Sequence, residues 1–556
     1  MIKKTLLYLT VCCFLSCKEP LKEADLIIHN AVIYSVDSIF SVHQAMAIRD
    51  GQILELGTNE AIREKFKSKT VKDAEGKCIF PGFIDAHCHF YGYGKGLNEV
   101  DLVGTNSFNE VIEKTSEFVK QKDLSPEVST LTSKNNNEWI IGRGWDQNDW
   151  ENKEFPGKER LDSLFPDMPV LLKRIDGHAV LVNQKALTMA GFTSGTKIKG
   201  GELEIKNGKL TGILIDNAAD SLEQFIPVSN KESIKKALLK AQANCVAMGL
   251  TTVDDAGLNK NIIDVIDELQ KSGELKMRVY AMLTPNSENL NHYLKNGIYK
   301  TDKLTVRAFK FYADGALGSR GACLLKEYSD KDGWKGFLLN DISYFEKYAR
   351  LLAEKGFQMN THCIGDSSVR LILNIYNKHI NSVSDMRWRI EHAQTVNPAD
   401  LKNFNDNIIP SVQPTHATSD MYWAGKRLGD ERVRHAYAYK DALNASKTIA
   451  LGTDFPVEDI SPFKTFYAAV YRKDSKGYPE KGFQTENALT REETIKGMTI
   501  WAAYSNFEEK EKGSLSPGKF ADFIILDTDL MKCAEENILK TKVLSTYISG
   551  MEVYKL

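Results

Sequence analysis

Six side chains scattered over 556 residues can serve one kind of chemistry: His87, His89, Lys310, His362, His392 and Asp454. Each stands in or at the end of a short apolar run, which is how a buried strand reads when it stops at a site rather than at a turn. In Phe80-Pro81-Gly82-Phe83-Ile84-Asp85-Ala86-His87-Cys88-His89 successive side chains face opposite ways. His87 and His89 therefore share one side, close enough for one metal ion, and Cys88 faces the wall. Four imidazoles and a carboxylate suit one or two borderline divalent cations, with zinc the expected metal. A lysine buried beside cations is costly as an ammonium. Carbamylated by carbon dioxide, Lys310 becomes an anion able to bridge two metals; an ordinary lysine paired with Asp314 or with a substrate carboxylate is the alternative.

These residues need a frame that brings strand ends to one place. After the His87 strand, apolar runs recur at Leu250–Asp254, Met277–Leu283, Thr305–Phe311, Phe357–His362, Arg387–His392, Ile408–Val412 and Thr448–Gly452. Helical patterns separate several of them, such as Asn230–Met248, opened by a Ser229-x-x-Glu232 capping box, and Ile342–Lys355. Eight such units predict an α/β fold, a (β/α)8 TIM barrel over 81–123 and 229–507, whose chemistry sits at the C-terminal ends of its strands. Residues 124–228 fall between strands one and two and read as an inserted domain over the mouth. Short strands at 24–80 recur in kind at 508–556, so the two termini are expected to form one composite β-sandwich domain.

Lys3 and Lys4 precede the apolar run Leu6–Leu15, too short to span a bilayer but long enough for a secretory signal. It ends in Ser16-Cys17, which resembles a bacterial lipoprotein signal over 1–16 with Cys17 as the lipidated residue. That predicts export and lipid anchoring to the cell envelope of a bacterium, at a periplasmic or outer-membrane face. Plain secretion is the alternative. The remaining cysteines are scattered without Cys-x-x-Cys, so free thiols are expected rather than a disulfide framework. A net charge of −2 gives no electrostatic case for a nucleic-acid partner.

The motifs together resemble the amidohydrolase superfamily, and within it the YtcJ-like metal-dependent hydrolases of amidohydrolase family 3, which include N-substituted formamide deformylase. The matching segments are the His87 run, Gly142-Arg-Gly-Trp-Asp146, Asp176-Gly-His178, Ala313-Asp-Gly-Ala-Leu-Gly-Ser-Arg320, Thr361-His-Cys-Ile-Gly-Asp366, Arg389-Ile-Glu-His-Ala-Gln394, Gly452-Thr-Asp454 and Gly513-Ser-Leu-Ser-Pro-Gly518. The resemblance implies metal ligation by His87, His89, Lys310, His362, His392 and Asp454. It also implies that Asp454 takes a proton from water and passes it to the leaving nitrogen. Asp146, His178, Arg320 and His416 are expected to meet the substrate at the mouth. The implied reaction is hydrolysis of a linear amide, N-acyl or N-formyl, on a small molecule. A ring deaminase and an inert ligand-binding lipoprotein are the alternatives. Such deaminases commonly carry a Glu three residues after the strand-five His, where this chain has Gly365. A homodimer is compatible with the pattern, which leaves oligomeric state open.

Overall fold

Eight buried runs lie side by side in the computed structural model, which describes residues 20–124, 139–227, 229–380 and 385–556. The signal over 1–16 and Cys17 fall outside the described residues. The runs are β1 (Phe83–Cys88), β2 (Leu250–Leu258), β3 (Arg278–Leu283), β4 (Leu304–Tyr312), β5 (Gln358–Cys363), β6 (Trp388–His392), β7 (Ile408–Val412) and β8 (Ala450–Leu451). They pair in that order, every neighbour parallel. Both faces of such a sheet are covered, so these strands are buried along almost their whole length, polar residues such as Asn360, Arg389 and Glu391 included.

Helices return the chain between strands. Ile342–Lys355 turns Phe345, Ala349 and Leu352 inward and stops at Gly356, whose φ of 73° is left-handed and costs glycine little. The helix before β2 runs Lys231–Ala247 and is capped by Asn230, whose side chain accepts from Ser233 N–H at 2.9 Å. The expected Ser229-x-x-Glu232 capping box is thus replaced by a cap one residue later.

β1 and β8 share no ladder. The barrel closes there through Asp454 N–H on His87 O at 2.7 Å and His89 N–H on Phe455 O at 2.8 Å. Below them Asp85 accepts from Thr453 N–H at 3.0 Å and from Thr453 Oγ1 at 2.7 Å.

The sheet inserted between β1 and β2 has six strands, ordered Val100–Asp101, Ile140–Trp145, Val170–Arg174, Ala179–Val182, Lys209–Asp216 and Gly201–Lys206. It begins at Val100 rather than at the expected residue 124, and helix Phe108–Leu124 packs on it through Val111 and Ile112. A strand of two residues has no period to read, so this edge was hidden in the sequence.

At the foot of the barrel the termini meet. Phe523–Leu526 pairs antiparallel with Cys78–Pro81, and Val543–Ile548 pairs with Phe523–Leu526. A second sheet, built from Leu26–His29, Ala45–Arg49, Gln52–Gly57 and Thr70–Asp73, packs on the first through Ile28, Ile33, Met46, Ile79 and Phe523. Arg278, at the start of β3, reaches down to grip Asp522 at 2.5 and 2.9 Å, fastening the barrel to these layers.

Candidate metal centre

The ends of β1, β4, β5 and β6 and the segments after β7 and β8 open into one cavity of about 810 Å³. His87 is wholly buried. Its Nδ1 lies 2.5 Å from Glu391 Oε2, which leaves Nε2 to face the other donors. Glu391 rests on Arg389 at 2.6 Å, and Arg389 in turn meets Asp254 at 2.8 Å and the Ala86 carbonyl at 2.7 Å. Burial pushes Glu391 upward, yet Arg389 and His87 hold it well below the usual carboxylate range. An ionised carboxylate behind a histidine fixes its ring and raises its basicity as a ligand.

His89 Nδ1 lies 3.0 Å from the Ala256 carbonyl, so its Nε2 turns toward Asp454 Oδ1 at 3.3 Å. His392 Nδ1 is 2.7 Å from Gln413 Oε1. His362 stands between them and the inserted sheet, its ring 4.6 Å from that of His392 and 4.9 Å from that of His178. His392 and Asp454 both sit at positive φ, 71° and 62°. Non-glycine residues persist there only where the surroundings hold them, a form of strain that clusters at functional sites.

Two donor groups converge, His87 with His89 and Asp454, and His392 with His416 and Asp454, each with its atoms within 4.8 Å of one another. Burial drives His87 down to about 4 and takes His362 and His392 well below the usual imidazole range. Burial pushes Asp454 upward, but the facing imidazoles of His416, His89 and His87 outweigh it and hold the group far below the carboxylate range. For His87, His362 and His392 this is neutral imidazole beside an ionised carboxylate, the protonation state that a cation needs. His416 differs: burial pushes it down, but Asp454 and Glu458 outweigh burial and raise it to about 10. His362 Nε2 and Asp454 Oδ1 are buried without a hydrogen-bond partner. Orphaned donors of this kind are costly in a dry site, and a divalent cation would satisfy them. The residues therefore fit the metal.

Lys310 joins this group, its Nζ 2.8 Å from His87 Nε2, and burial lowers it to about 8. It does not pair with Asp314, which instead accepts from the amides of Ile364, Gly365 and Cys323 at 3.0, 2.9 and 2.7 Å. His416, expected only as a mouth residue, is a member of the second donor group. Its Nε2 is 3.4 Å from Asp454 Oδ2, and its Nδ1 is 3.0 Å from Glu458.

The inserted sheet supplies the opposite wall. Asp146 and His178 line the cavity. Asp146 is bound to Arg174, which also holds Asp176 at 2.5 Å. His178 Nδ1 is 2.7 Å from Asp216, whose charge overcomes burial and raises the imidazole to about 9. Arg143, quoted in the sequence only as part of a motif, also lines the cavity and donates to the carbonyls of Pro456 and of Ile175, the latter at 2.8 Å.

Arg320 is a correction. It lies outside the cavity lining, because a left-handed turn at φ 65° sends it to Asp330 at 3.0 Å. Trp145 and Trp150 are core residues of the inserted sheet, whereas Trp423 reaches the cavity. Glu391, Gln413 and Asp216 were missed as single polar letters at the edges of apolar runs. Their one signal was a carboxylate or amide in a stretch otherwise fit for a buried strand.

A model of the amidohydrolase family matches residues 70–554. Protein LONG AFTER FAR-RED 3 of Arabidopsis thaliana is 31% identical over 550 residues, covering 96% of this chain and 92% of that one. N-substituted formamide deformylase of Arthrobacter pascens is 24% identical over 96% of this chain and 98% of its own. The crystal structure of an uncharacterized metal-dependent hydrolase from Pyrococcus horikoshii OT3 superposes with a TM-score of 0.72 at 26% identity, covering 92% of this chain and 99% of the other. With the donor cluster at the barrel mouth and a family match across most of its length, the chain belongs to the amidohydrolase family.

Proposed function

We propose that this metal-dependent hydrolase cleaves a non-peptide carbon–nitrogen bond in a small linear amide, N-acyl or N-formyl in type, with zinc as the metal. The observation that carries the reading is the convergence of two His-rich donor groups on one buried Asp454 at the floor of the cavity. A divalent cation held by these residues would lower the pKa of a bound water toward neutrality and would polarise a carbonyl oxygen. His87, His89, His362, His392 and Asp454 would hold it, and Lys310 as a carbamate would add an anionic ligand. Asp454 accepts the proton of the attacking water and returns it to the leaving nitrogen, serving as base and then acid. The likeness to N-substituted formamide deformylase supports a linear amide. So does Gly365, where a Cβ would collide with the Cys323 carbonyl, leaving no room for the ring-protonating Glu of a deaminase.

The test is product analysis on zinc-loaded enzyme with a panel of N-formyl and N-acyl amines and of aminated heterocycles. Primary amine release from the acyl panel is expected. Ammonia from the heterocycles alone would overturn the reading.

Cys17, which falls outside the described residues, carries the proposed lipid anchor to the cell envelope. Cys17→Ser is expected to move the protein from the membrane to the soluble fraction, and unchanged fractionation would refute the anchor. Among the described residues no helix is long and apolar enough to cross a membrane.

A further inference from the structure

We propose that His178 is a catalytic hydrogen-bond donor to the oxygen of the scissile carbonyl and that Asp216 is its positioning residue. The inserted sheet would then supply part of the reaction centre and not only a wall. This rests on the reading above, in which a carbonyl is attacked at the metal site.

Asp216 ends the strand Lys209–Asp216 at φ 51°, a left-handed conformation seldom held by a non-glycine residue. It is 4% exposed, and Oδ2 is buried without a partner. Gly315 and Gly321, in the segment after β4, make room for it, since a Cβ at either would collide with that same oxygen. Strain, an orphaned oxygen and two glycines are a large local cost for one contact. That contact is Asp216 Oδ1 on His178 Nδ1 at 2.7 Å.

Its effect is to orient the ring. His178 Nε2 has no hydrogen-bond partner among the described residues and is not shut off from the cavity, which His178 lines. The ring lies 4.9 Å from that of His362, and both residues line the same cavity. An imidazole backed by a buried carboxylate presents its outer nitrogen to an oxygen that gains negative charge as water adds. Such donors act most strongly when held in place beforehand in a dry site. No proton leaves His178 in this role: it polarises the oxygen, and Asp454 handles the proton of the water.

Zinc-loaded full-length enzyme and its His178→Gln, Asp216→Asn and Asp216→Glu variants test this in two ways. Hydrolysis of 4-nitroformanilide and 4-nitroacetanilide is followed together with zinc content. His178→Gln should lower kcat about 100-fold with KM changed less than about threefold and zinc retained. Asp216→Asn should lose roughly tenfold, Asp216→Glu should recover part of it, and Asp216→Asn should add little in a His178→Gln background. Independently of turnover, calorimetry with benzylphosphonate, a tetrahedral oxyanion mimic, should show binding at least tenfold weaker in His178→Gln. Wild-type kcat in the variants, loss of zinc from His178→Gln, equal phosphonate affinity, or no phosphonate binding by the wild type would each overturn the proposal. If neither anilide is cleaved while phosphonate binding still depends on His178, the carbon–nitrogen reading fails and the donor role stands.

Discussion

A carboxylate that neither pairs fully nor meets water is expensive, and Asp454 is one: buried, ionised, at positive φ, with Oδ1 unpartnered. Its cost is explained if it serves both as a ligand and as a proton carrier. Asp454→Asn keeps the side chain's size and an oxygen able to ligate but removes the base. Zinc content should stay near wild type while kcat falls by about 10³-fold, read by elemental analysis beside a rate assay. Glu391 acts one step further back, through His87. Glu391→Gln should leave the fold in place and weaken zinc about 10- to 100-fold, measured by competition with a chromogenic chelator. At this scale the sequence was most legible where chemistry and strand period coincide. His87, His89, His362 and His392 each end an apolar run, and a histidine there has few other uses. Glu391 stood beside His392 in the same run, but a strand alternates faces, and nothing in one line of letters says that its outward face meets His87 across the barrel. Arg320 misled for the opposite reason. It follows β4 closely in sequence, but one left-handed turn takes it away from the mouth.

Elements were legible in proportion to their length. The parallel strands were recognisable where apolar residues dominate, as in Arg278–Leu283 and Ile408–Val412, and the latter has the expected bounds. β8 shrank to Ala450–Leu451 because its later residues turn to deliver Asp454 and close the seam. The first strand of the inserted sheet could not be read at all, and the boundary moved with it. The turn after β5 shows how tightly an element end is packed. Gly365 donates to Asp314 at 2.9 Å and lies against the Cys323 backbone. Gly365→Ala should destabilise the protein by about 1–3 kcal/mol through overpacking, seen as a lower Tm, with zinc stoichiometry unchanged.

In the whole molecule, the barrel stands on layers made from both ends of the chain, and the Arg278–Asp522 pair lies buried where they join. Burial raises the Asp522 carboxyl, but Arg278 outweighs it and holds the group below its ordinary value. A depressed folded pKa gives stability that is present above the unfolded value near 3.9 and lost as pH falls through the folded one. Asp522→Asn strands a buried guanidinium and should cost about 3 kcal/mol at pH 7. The Tm gap from wild type should begin to narrow as the medium is acidified below about pH 4 and should close only once pH falls through the folded pKa, where the wild type too loses the charge. A gap independent of pH would show that packing, not charge, joins the layers.

The seam between β1 and β8 ties folding to ligation. The two backbone hydrogen bonds that shut the cylinder, Asp454 on His87 and His89 on Phe455, are made by three of the proposed metal ligands. Any fluctuation that parts these strands pulls the ligands apart, and any ion that holds the ligands bars the fluctuation. Deuterium uptake over 450–456 and 84–90 should therefore slow sharply when zinc is added to stripped protein, while the layers at the foot keep their rate. Release of the ion would then be governed by how often the cylinder unzips.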